Sequence, residues 1–388
     1  MIATIIFWIC ARIIGYVYVG YPVLLAAGFL GRKTSVLRGS RLPTVSIIIP
    51  AHNEAANIEK KLRNTADLLY PAHLREVLVG SDGSTDGTAE LVRKHGSVQL
   101  FESACQIGKS SIQNELVRRS TGDVLVFTDC DCFLDPDAVN RLLSDFTDDS
   151  VGLVTARPWY VNAGENKVTE NEGLYLRYES WIRNEESARG VLAVASGSLF
   201  ALRRSLWAPI PPNQGDDFFL PLHVALSGRR SILETSAIVR TELSQSRLRL
   251  LVAMKRRIIS KDLLALVSRL SVLNPFRTGR VAIGLLSHKL LRWLAPYFFL
   301  GLFISNIFLE GSYARAFLLL QAAFYAMAIL GSRVRSRRIP SIWLIPTSFC
   351  AVNYAAALAI VQTLSGTTIG KWQPDRQKSE PDQSAARA

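Results

Sequence analysis

The chain has 388 residues, of which 45 are Lys or Arg and 32 are Asp or Glu, giving a formal net charge of +13. Apolar residues make up 49% of the chain and concentrate at its two ends, which is typical of a membrane protein. The basic excess does not indicate nucleic-acid binding, because no basic stripe is interleaved with aromatic residues and basic residues beside membrane segments face anionic lipid.

The first apolar segment is IIGYVYVGYPVLLAAGFLG, residues 13–31, which carries no charged residue. A helix needs about 20 apolar residues to cross the bilayer core. The segment is too long for the hydrophobic part of a signal peptide, and no small-residue cleavage site precedes the basic residues that follow. We therefore predict an N-terminal transmembrane anchor over residues 1–31.

Residues 40–245 have the composition of a soluble domain. Four short, mostly apolar runs are predicted as strands: TVSIIIP (44–50), EVLVG (76–80), VQLF (98–101) and DVLVFTDCD (123–131). Helical patterns lie between these runs, so we predict an α/β fold with a mostly parallel sheet. Ligands bind beyond the carboxyl ends of such strands. The segments at those ends are AHNE (51–54), SDGSTDG (81–87) and TDCD (128–131).

The C-terminal part of the chain is predicted to associate with the membrane. Residues 246–292 mix basic and apolar residues, which indicates amphipathic interfacial helices. Apolar stretches at 293–309, 316–332 and 339–370 predict about three transmembrane segments over residues 293–370, followed by a polar tail, 371–388.

The arginine-rich loop RVRSRR, residues 333–338, predicts the orientation of the chain. By the positive-inside rule this loop is cytoplasmic, and the residues before Trp293 are then cytoplasmic as well. We expect a multi-pass protein of the inner membrane whose α/β domain lies in the cytoplasm. The basic residues of the tail leave its side of the membrane open.

Asp129 and Asp131 follow the fourth predicted strand and are two residues apart. Alternation along a strand would place both carboxylates on one face, where they would suit Mg²⁺ or Mn²⁺. Cys130 and Cys132 would then point to the core, and no second Cys/His pair at a suitable spacing supports a zinc site. The alternative is that the two aspartates form an ordinary solvated strand end.

Three further acidic or basic motifs are candidates for chemistry. Asp82 could accept a hydrogen bond from a nucleobase, although SDGSTDGT is also a common turn sequence. Lys109 at the head of a predicted helix either faces a phosphate or is a surface lysine. Asp216 and Asp217 precede two phenylalanines, and partial burial would raise a carboxyl pKa and suit a general base. The alternative for this pair is a helix N-cap.

Taken together, six motifs resemble the family 2 inverting glycosyltransferases, which have the nucleotide-sugar-binding GT-A fold. They occur in family order between about residues 43 and 260. The motifs are PAHNE (50–54), SDGSTDGT (81–88), GKSSIQNE (108–115), TDCD (128–131), ASGSLFALRR (195–204) and GDDFFLPL (215–222). The membrane segments resemble those of the polysaccharide-synthase branch of the family.

The resemblance implies roles for residues on the donor side. Ala51, Glu54 and Asp82 would contact the nucleoside of a nucleotide sugar. Asp129 and Asp131 match the D-x-D element, in which the first residue reaches toward the sugar or ribose. The second reaches toward a Mg²⁺ or Mn²⁺ ion on the diphosphate.

The resemblance also implies roles on the acceptor side. Gly197 and Ser198 would line the acceptor, and Asp217 would be the base that deprotonates the acceptor hydroxyl. Asp216 stands where the family usually has Glu.

One family element is incomplete. The Q-x-x-R-W element of processive synthases corresponds to MKRRIIS, residues 254–260, which lacks both the Gln and the Trp. This favours a non-processive or short-polymer enzyme. Arg256 or Arg257 could still stabilise the leaving diphosphate.

We therefore expect a membrane-bound inverting glycosyltransferase that takes a nucleoside-diphosphate sugar, expected to be a UDP-sugar. Its acceptor would be a hydroxyl of a growing polysaccharide or of a lipid-linked molecule in the bilayer. The alternative is a non-catalytic, nucleotide-sugar-binding membrane partner of a polysaccharide synthesis or export complex. The intact Asp129, Asp131 and Asp217 argue against that alternative.

Overall fold

The computed structural model describes residues 1–40, 42–161, 167–242, 248–333 and 345–366. The predicted polar tail, 371–388, lies outside the described residues, as does the arginine-rich loop after Arg333.

One sheet of eight strands forms the centre of the described α/β domain, in the order β3-β2-β1-β4-β7-β6-β8-β5. The strands are β1 (Val45–Ala51), β2 (Arg75–Asp82), β3 (Val98–Ser103), β4 (Val124–Thr128), β5 (Phe133–Leu134), β6 (Val151–Tyr160), β7 (Leu199–Arg203) and β8 (Arg230–Thr241). β1 pairs in parallel with β2 and β4, whereas β7 runs antiparallel to β4 and β6. The predicted α/β fold is confirmed, and the central antiparallel strand makes the sheet mixed.

The described α-helices, numbered in chain order, cover both faces of this sheet and also lie before and after the α/β domain in the sequence. They are α1 (Ile2–Gly15), α2 (Tyr21–Ala26), α3 (Ile58–Ala66), α4 (Thr88–Arg93), α5 (Lys109–Arg119), α6 (Ala138–Ser144), α7 (Lys167–Ala188), α8 (Asp216–Leu226), α9 (Leu248–Ser268), α10 (Pro275–Thr278), α11 (Arg280–Leu285), α12 (Leu291–Ile307), α13 (Ser312–Arg333) and α14 (Ile345–Leu364).

β1 shows how the sequence sets the two faces of the sheet. All seven residues of VSIIIPA are buried. Ile47 and Ile49 pack in the core on one face, and Ile48 packs in the core on the other. The period of two along a strand therefore supplies apolar side chains to helices on both faces, which explains why this run contains no polar face.

Four helical segments are long and apolar enough to cross a membrane: Ile2–Ala26, Arg280–Ile307, Ser312–Arg333 and Ile345–Leu364. The second begins at Arg280, earlier than the predicted start at Trp293. In the sequence, Lys289 and Arg292 interrupt its apolar run, but in the structure both lie next to the Glu179 carboxylate. Helix α14 packs along α9, and α1 packs along α12; α14 and α2 also contact α7, so these segments adjoin the α/β domain.

Two π-helical turns interrupt the first two of these segments, at Tyr16–Gly20 and Leu286–Leu290. They meet through a hydrogen bond of 2.7 Å between the hydroxyls of Tyr16 and Ser287. A π-helical turn shifts the phase of the residues that follow it, and such turns are frequent at functional sites. The second turn carries His288 and Lys289 toward the α/β domain.

Candidate active site

A cavity of about 720 Å³ lies between the sheet edge and the apolar helices. One wall comes from the turn after β4, the loop Val194–Ser198 and the start of α8, and the other from α7, α9, α12 and α14. Its acidic lining residues are Asp129, Asp131, Glu179, Asp217 and Asp262, and its Lys and Arg lining residues are Arg183, Lys255, Lys289 and Arg292.

The first acidic group lies in the turn after β4. This strand ends at Thr128, so the predicted strand through Asp131 is wrong at its end. Beyond Thr128 the pairing with β7 stops, and the chain turns with the Cys132 N–H donating to the Asp129 carbonyl at 3.3 Å. The prediction that the two cysteines point to the core is nevertheless confirmed, because both are buried, whereas Asp131 is exposed.

The turn offers ligands that fit a hard divalent cation. One oxygen each of Asp129 and Asp131 and the Cys132 sulfur lie within 4.8 Å of one another. Burial raises the pKa of the Cys132 thiol well above its ordinary value, and the neighbouring carboxylates add to this effect. The sulfur is therefore a neutral thiol, whereas the two carboxylates are the ligands that Mg²⁺ and Mn²⁺ prefer.

Lys61 of α3 supports this turn from below, a role that the sequence reasoning missed. Its side chain is fully buried, and its ammonium donates to the Thr128 hydroxyl at 2.8 Å and to the Cys132 carbonyl. Burial lowers the pKa of Lys61 to about 8. The available signal was its position three residues after Ile58, on the buried face of the helix.

Lys109 connects the turn to the second acidic group. Its ammonium lies 2.8 Å from Asp129 Oδ1 and 3.4 Å from Asp216 Oδ1. Burial lowers the pKa of Lys109, but Asp129 and Asp216 outweigh this effect and hold it above its ordinary value. The surface-lysine alternative is thus wrong, and Lys109 lies between the two groups of carboxylates.

Asp216 and Asp217 lie in the first turn of α8, whose N-cap is Gly215. Asp216 is buried and accepts a hydrogen bond from Gln113 Nε2 at 2.7 Å. Burial raises the pKa of Asp217 to about 6, and the adjacent Asp216 carboxylate contributes to this increase. The Asp217 carbonyl accepts from the Ala195 N–H at 2.7 Å, which fixes the lining loop beside it.

Gly197 and Ser198 lie in that lining loop, as expected for residues beside an acceptor. A Cβ atom on Gly197 would lie only 3.4 Å from Asp217 Oδ2. Gly197 thus lies within van der Waals reach of the carboxylate. The Ser198 hydroxyl shares a hydrogen bond of 2.7 Å with the Ser196 hydroxyl, and its carbonyl accepts from the Thr128 hydroxyl at 2.9 Å.

The three residues predicted to contact a nucleoside lie at the carboxyl ends of β1 and β2, outside the lining of the cavity. Ala51 and Glu54 are buried, and Glu54 accepts from Asn57 Nδ2 at 2.8 Å. Asp82 is fully buried, and its Oδ1 accepts from the Ile107 N–H at 2.6 Å and the Gly108 N–H at 3.1 Å. Asp82 thereby orders the loop that leads into α5. The contacts of these three residues with a nucleoside stay predictions.

Helix α9 contributes residues that the sequence reasoning did not select. Lys255 and Asp262 line the cavity, whereas Arg256 is exposed and lies outside its lining. Lys255 is the basic residue of this run that lines the cavity, and the roles of Arg256 and Arg257 at the diphosphate stay predictions. Arg257 shares a helix face with Lys261, four residues on, and the Asp216 and Asp217 carboxylates act on Lys261.

Asp262 is the acidic neighbour of the candidate base. A Cβ atom on Gly215 would lie 2.8 Å from Asp217 Oδ1 and 3.8 Å from Asp262 Oδ1. Burial raises the pKa of Asp262 well above its ordinary value, Asp217 raises it further, and Lys289 opposes the shift. Asp262 therefore interacts electrostatically with both the candidate base and Lys289.

A second charged cluster lines the cavity beside the apolar helices. The Glu179 carboxylate of α7 lies 3.1 Å from His288 Nε2, 3.4 Å from Lys289 Nζ and 2.9 Å from Arg292 Nη1. Burial raises the pKa of Glu179, but the three basic groups outweigh this effect and hold it well below its ordinary range. Nothing in the sequence indicated a role for His288. It lies more than 100 positions from Glu179, so no local motif connects the two residues.

Sequence comparison shows that part of the chain is similar to known proteins. Residues 46–208 match the family model described as Glycosyl transferase family 2. A curated relative is the β-monoglucosyldiacylglycerol synthase of Nostoc sp., 30% identical over 174 residues, which are 43% of this chain and 37% of the relative. Another is the glycosyltransferase AglE of Haloferax volcanii, 36% identical over 119 residues, covering 30% of this chain and 39% of the relative. The chain thus spans about two-fifths of the length of these relatives.

Among solved structures, this chain is similar to a mannosyltransferase of Pyrobaculum calidifontis, solved in complex with GDP-Man and Mn²⁺. The TM-score is 0.70, and the match covers 94% of this chain and 100% of that one. At 20% sequence identity the likeness shows the fold. The expected GT-A-type domain with flanking helices is confirmed.

Proposed function

We propose that the chain transfers a sugar from a nucleoside-diphosphate sugar to a hydroxyl group, which the match of residues 46–208 to the Glycosyl transferase family 2 model supports. The main support for this proposal is that the candidate cation ligands and the candidate base belong to one connected group of side chains. Lys109 links Asp129 of the D-x-D turn to Asp216, which adjoins the half-buried Asp217. A pair of carboxylates suited to a cation and a carboxyl of raised pKa thus line the same cavity.

Asp129 and Asp131 would hold Mg²⁺ or Mn²⁺ on the donor diphosphate. When bound, the cation supplies positive charge that stabilises the diphosphate as it leaves. The Mn²⁺ bound in the Pyrobaculum mannosyltransferase complex supports this assignment. The GDP-Man of that complex also makes GDP-sugars candidate donors alongside the UDP-sugars expected from the sequence.

Asp217 would act as the general base. Its pKa of about 6 leaves it ionised at neutral pH but basic enough to take a proton. The acceptor oxygen forms a bond to the anomeric carbon while the bond from that carbon to the diphosphate oxygen breaks. The proton goes to Asp217, the diphosphate leaves with the electron pair, and the single displacement inverts the anomeric centre.

The other predicted residues would position the substrates around this reaction. Ala51, Glu54 and Asp82 would form the nucleoside side, with Asp82 acting through the loop that it orders. Gly197 would leave room for the acceptor beside Asp217. Arg257 would help to hold the diphosphate, supported by its position beside Lys261.

We propose that the acceptor is lipid-linked and that the protein is a multi-pass protein of the inner membrane with a cytoplasmic α/β domain. The far wall of the cavity supports this proposal. It includes Trp293 of α12 and Ile345, Phe349 and Val352 of α14, all from candidate membrane spans. The Nostoc relative, a β-monoglucosyldiacylglycerol synthase by name, is consistent with a lipid acceptor.

The test uses the full chain in detergent, incubated with a panel of UDP- and GDP-sugars plus Mn²⁺ or Mg²⁺ and a membrane lipid extract. Nucleoside diphosphate release and transfer of the labelled sugar to extracted lipid are both measured. We expect release with one donor and label in the lipid fraction. If no donor is consumed under any of these conditions, the proposed function is wrong, and a non-catalytic partner becomes the better interpretation.

A further inference from the structure

Asp262 of α9 is a buried residue whose carboxyl group has no partner in the described part of the fold. Its exposed fraction is 8%, and it lines the cavity. No hydrogen bond or ion pair joins its carboxyl group to another residue within the ranges that the structure describes. Glu179, which lines the same cavity, instead contacts three basic side chains. A buried polar group without a partner is costly, so a ligand in the cavity is the partner to consider.

The position of Asp262 on α9 belongs to an apolar face of the helix. Ile259 lies three residues before it and Leu266 four residues after it, so the three side chains lie on one side of the helix. Both Ile259 and Leu266 are buried and pack in one hydrophobic core. An apolar residue at position 262 would extend that core, so packing does not explain the carboxyl group.

The charged groups that act on Asp262 come from three elements. Asp217 of α8 opposes a negative charge on Asp262, whereas Lys289, just before α12, and Lys261 of α9 itself favour one. Lys289 also lies 3.4 Å from the Glu179 carboxylate. Burial is the largest influence, and together with Asp217 it raises the pKa of Asp262 well above its ordinary value against the effect of the two lysines. Asp262 is therefore neutral when Asp217, with a pKa of about 6, is already ionised.

Two other elements that pack on α9 add no charge near Asp262. Helix α14 lies along α9 and contains no Asp, Glu, Lys, Arg or His. Its Cys350 and Tyr354 line a different cavity. The turn Leu270–Leu273 also contacts α9 and has the uncharged sequence LSVL. The protonation of Asp262 thus depends on its burial and on the charged groups named above.

Asp262 is a neighbour of the candidate base across the contact between α8 and α9. A Cβ atom on Gly215 would lie 2.8 Å from Asp217 Oδ1 and 3.8 Å from Asp262 Oδ1, so both oxygens lie within 3.8 Å of one point. Both residues also line the same cavity. An acceptor that presents a hydroxyl to Asp217 therefore comes close to Asp262.

We propose that Asp262 is an acceptor-binding residue, which remains a neutral carboxylic acid and donates a hydrogen bond to an oxygen of the acceptor while Asp217 takes the proton of the attacking hydroxyl. A carboxylic acid kept neutral by its surroundings can donate such a bond, whereas a carboxylate can only accept. Asp262 keeps its own proton throughout the transfer. This inference rests on the proposed function for the acceptor, but the protonation of Asp262 is independent of any donor.

The first experiment measures the protonation of Asp262 without donor, acceptor or metal. Infrared spectra of the full chain in detergent are recorded at neutral pH, where a carboxylic acid and a carboxylate absorb at different frequencies. We expect Asp262→Asn to remove a carboxylic acid band. Unchanged acid bands in Asp262→Asn would show that Asp262 is a carboxylate and would overturn the proposal.

Asp148→Asn is the matched control for the infrared measurement. Hydrogen bonds from Ser150 lower the pKa of Asp148 to about 2, so Asp148 is ionised at neutral pH. Its replacement should leave the carboxylic acid bands as they are. Loss of the same band in Asp148→Asn would remove the assignment to Asp262 and contradict the proposal.

The pH profile of transfer connects the protonated Asp262 with the reaction. With the preferred nucleotide sugar, Mn²⁺ and the membrane lipid extract, kcat/KM should rise as Asp217 ionises and fall at higher pH as Asp262 loses its proton. Asp262→Asn cannot ionise but keeps a hydrogen-bond donor, so it should retain the rise and lose the fall. A fall that persists in Asp262→Asn would contradict the proposal. Loss of the rise would make Asp262 the base and would contradict it as well.

Asp262→Leu separates hydrogen bonding from folding. The variant has no donor but suits the apolar face of α9, so its unfolding free energy should not decrease. We expect the KM for the lipid extract to rise about tenfold, the effect of losing one hydrogen bond, while Asp262→Asn should keep it within about threefold. An unchanged KM in Asp262→Leu would overturn the proposal.

The infrared and transfer measurements distinguish this inference from the proposed function. An acid band assigned to Asp262 in a chain that consumes no donor would refute the proposed function and leave the neutral state of Asp262 standing. Donor turnover in a chain without that band would refute the neutral state and leave the proposed function standing.

Discussion

The two walls of the cavity arise from different kinds of sequence information. The sheet-edge wall carries Asp129, Asp131 and Asp217, each in a short motif directly beside a strand or helix terminus. The opposite wall carries Glu179 of α7, Lys289 of the turn Leu286–Leu290 and Arg292 of α12, which are brought together by contacts between these elements. The first wall has the chemistry expected for a donor, and the second has the charge and apolar surface suited to an acceptor.

Replacing Asp131 tests the sheet-edge wall with the largest expected effect. Asp131→Asn removes one carboxylate of the proposed cation pair, and we expect turnover to fall by about 10³-fold, as for loss of one essential electrostatic group. Manganese binding, followed by electron paramagnetic resonance, should weaken in parallel. Asp137→Asn is the control, since Asp137 pairs with Arg141 on α6 and lies outside the cavity lining. Full activity of Asp131→Asn would refute the metal assignment.

Replacing Glu179 tests the opposite wall. Glu179→Ala leaves His288, Lys289 and Arg292 without their shared carboxylate, and breaking a buried ion pair typically costs about 3 kcal/mol of unfolding free energy. Thermal or denaturant unfolding of the detergent-solubilised chain measures this loss.

The control for that change is Glu59→Ala. Glu59 forms an exposed pair with Arg63 at 3.9 Å, and such pairs contribute about 0.3 kcal/mol. If Glu179→Ala lost as little unfolding free energy as this control, the ion pairs of Glu179 would not stabilise the packing of α7 on His288, Lys289 and Arg292.

Replacing Lys61 has a smaller expected effect and tests how the turn that carries Asp129 and Asp131 is held in place, without removing either carboxylate. Lys61→Met keeps most of the side-chain volume but leaves the Cys132 carbonyl without its ammonium donor, at a cost of about 2 kcal/mol. We expect weaker manganese binding and lower turnover because the turn that carries Asp129 and Asp131 loosens. Lys60→Met, which alters an exposed neighbour on α3, should change neither quantity. Unchanged manganese affinity in Lys61→Met would show that the turn keeps its conformation without the hydrogen bonds from Lys61.

The pH dependence of transfer gives the smallest expected effect, and it should depend on Asp217 of the sheet-edge wall and not on Glu179 of the opposite wall. Asp217 must be ionised to accept a proton, so with a pKa of about 6 the rate should rise as pH increases through 6. We expect about a tenfold increase in kcat/KM between pH 5 and pH 7. The groups facing Asp217 are Asp216, Lys109, Asp129, Lys261 and Asp262. A flat profile over this range would remove Asp217 from the base role.

Glu179 should not contribute to that profile. The neighbouring basic groups hold its pKa well below its ordinary range, so it remains ionised throughout. The stability that it contributes is present above its unfolded-state pKa and is lost only as pH falls through the lowered folded-state pKa. The unfolding free energy should therefore show no Glu179 transition near pH 6, where transfer is expected to change.

The sequence predicted those parts of the molecule that depend on neighbouring residues. Alternating strands and helices predicted the α/β fold, TDCD predicted an acidic group at the end of a strand, and GDD was selected as a candidate base. The end of β4 was wrong by three residues, because strand length depends on where pairing with β7 stops. Lys255 was not selected for a similar reason, since which residues of α9 line the cavity depends on how the helix packs in the fold.

The opposite wall could not be predicted because its residues share no local pattern. His288 and Lys289 resemble isolated charges that interrupt an apolar run, and only their contacts with Glu179 explain their positions. Lys61 was similarly hidden among the charged residues of α3, although its helical spacing from Ile58 placed it on the buried face.

The most direct test of the division between donor and acceptor walls is the Asp217→Asn variant, assayed with the preferred nucleotide sugar and Mn²⁺. Donor binding is measured by calorimetry and transfer by labelled product. We expect donor affinity close to that of the unaltered chain together with loss of transfer. Loss of donor binding, or transfer at the original rate, would contradict it.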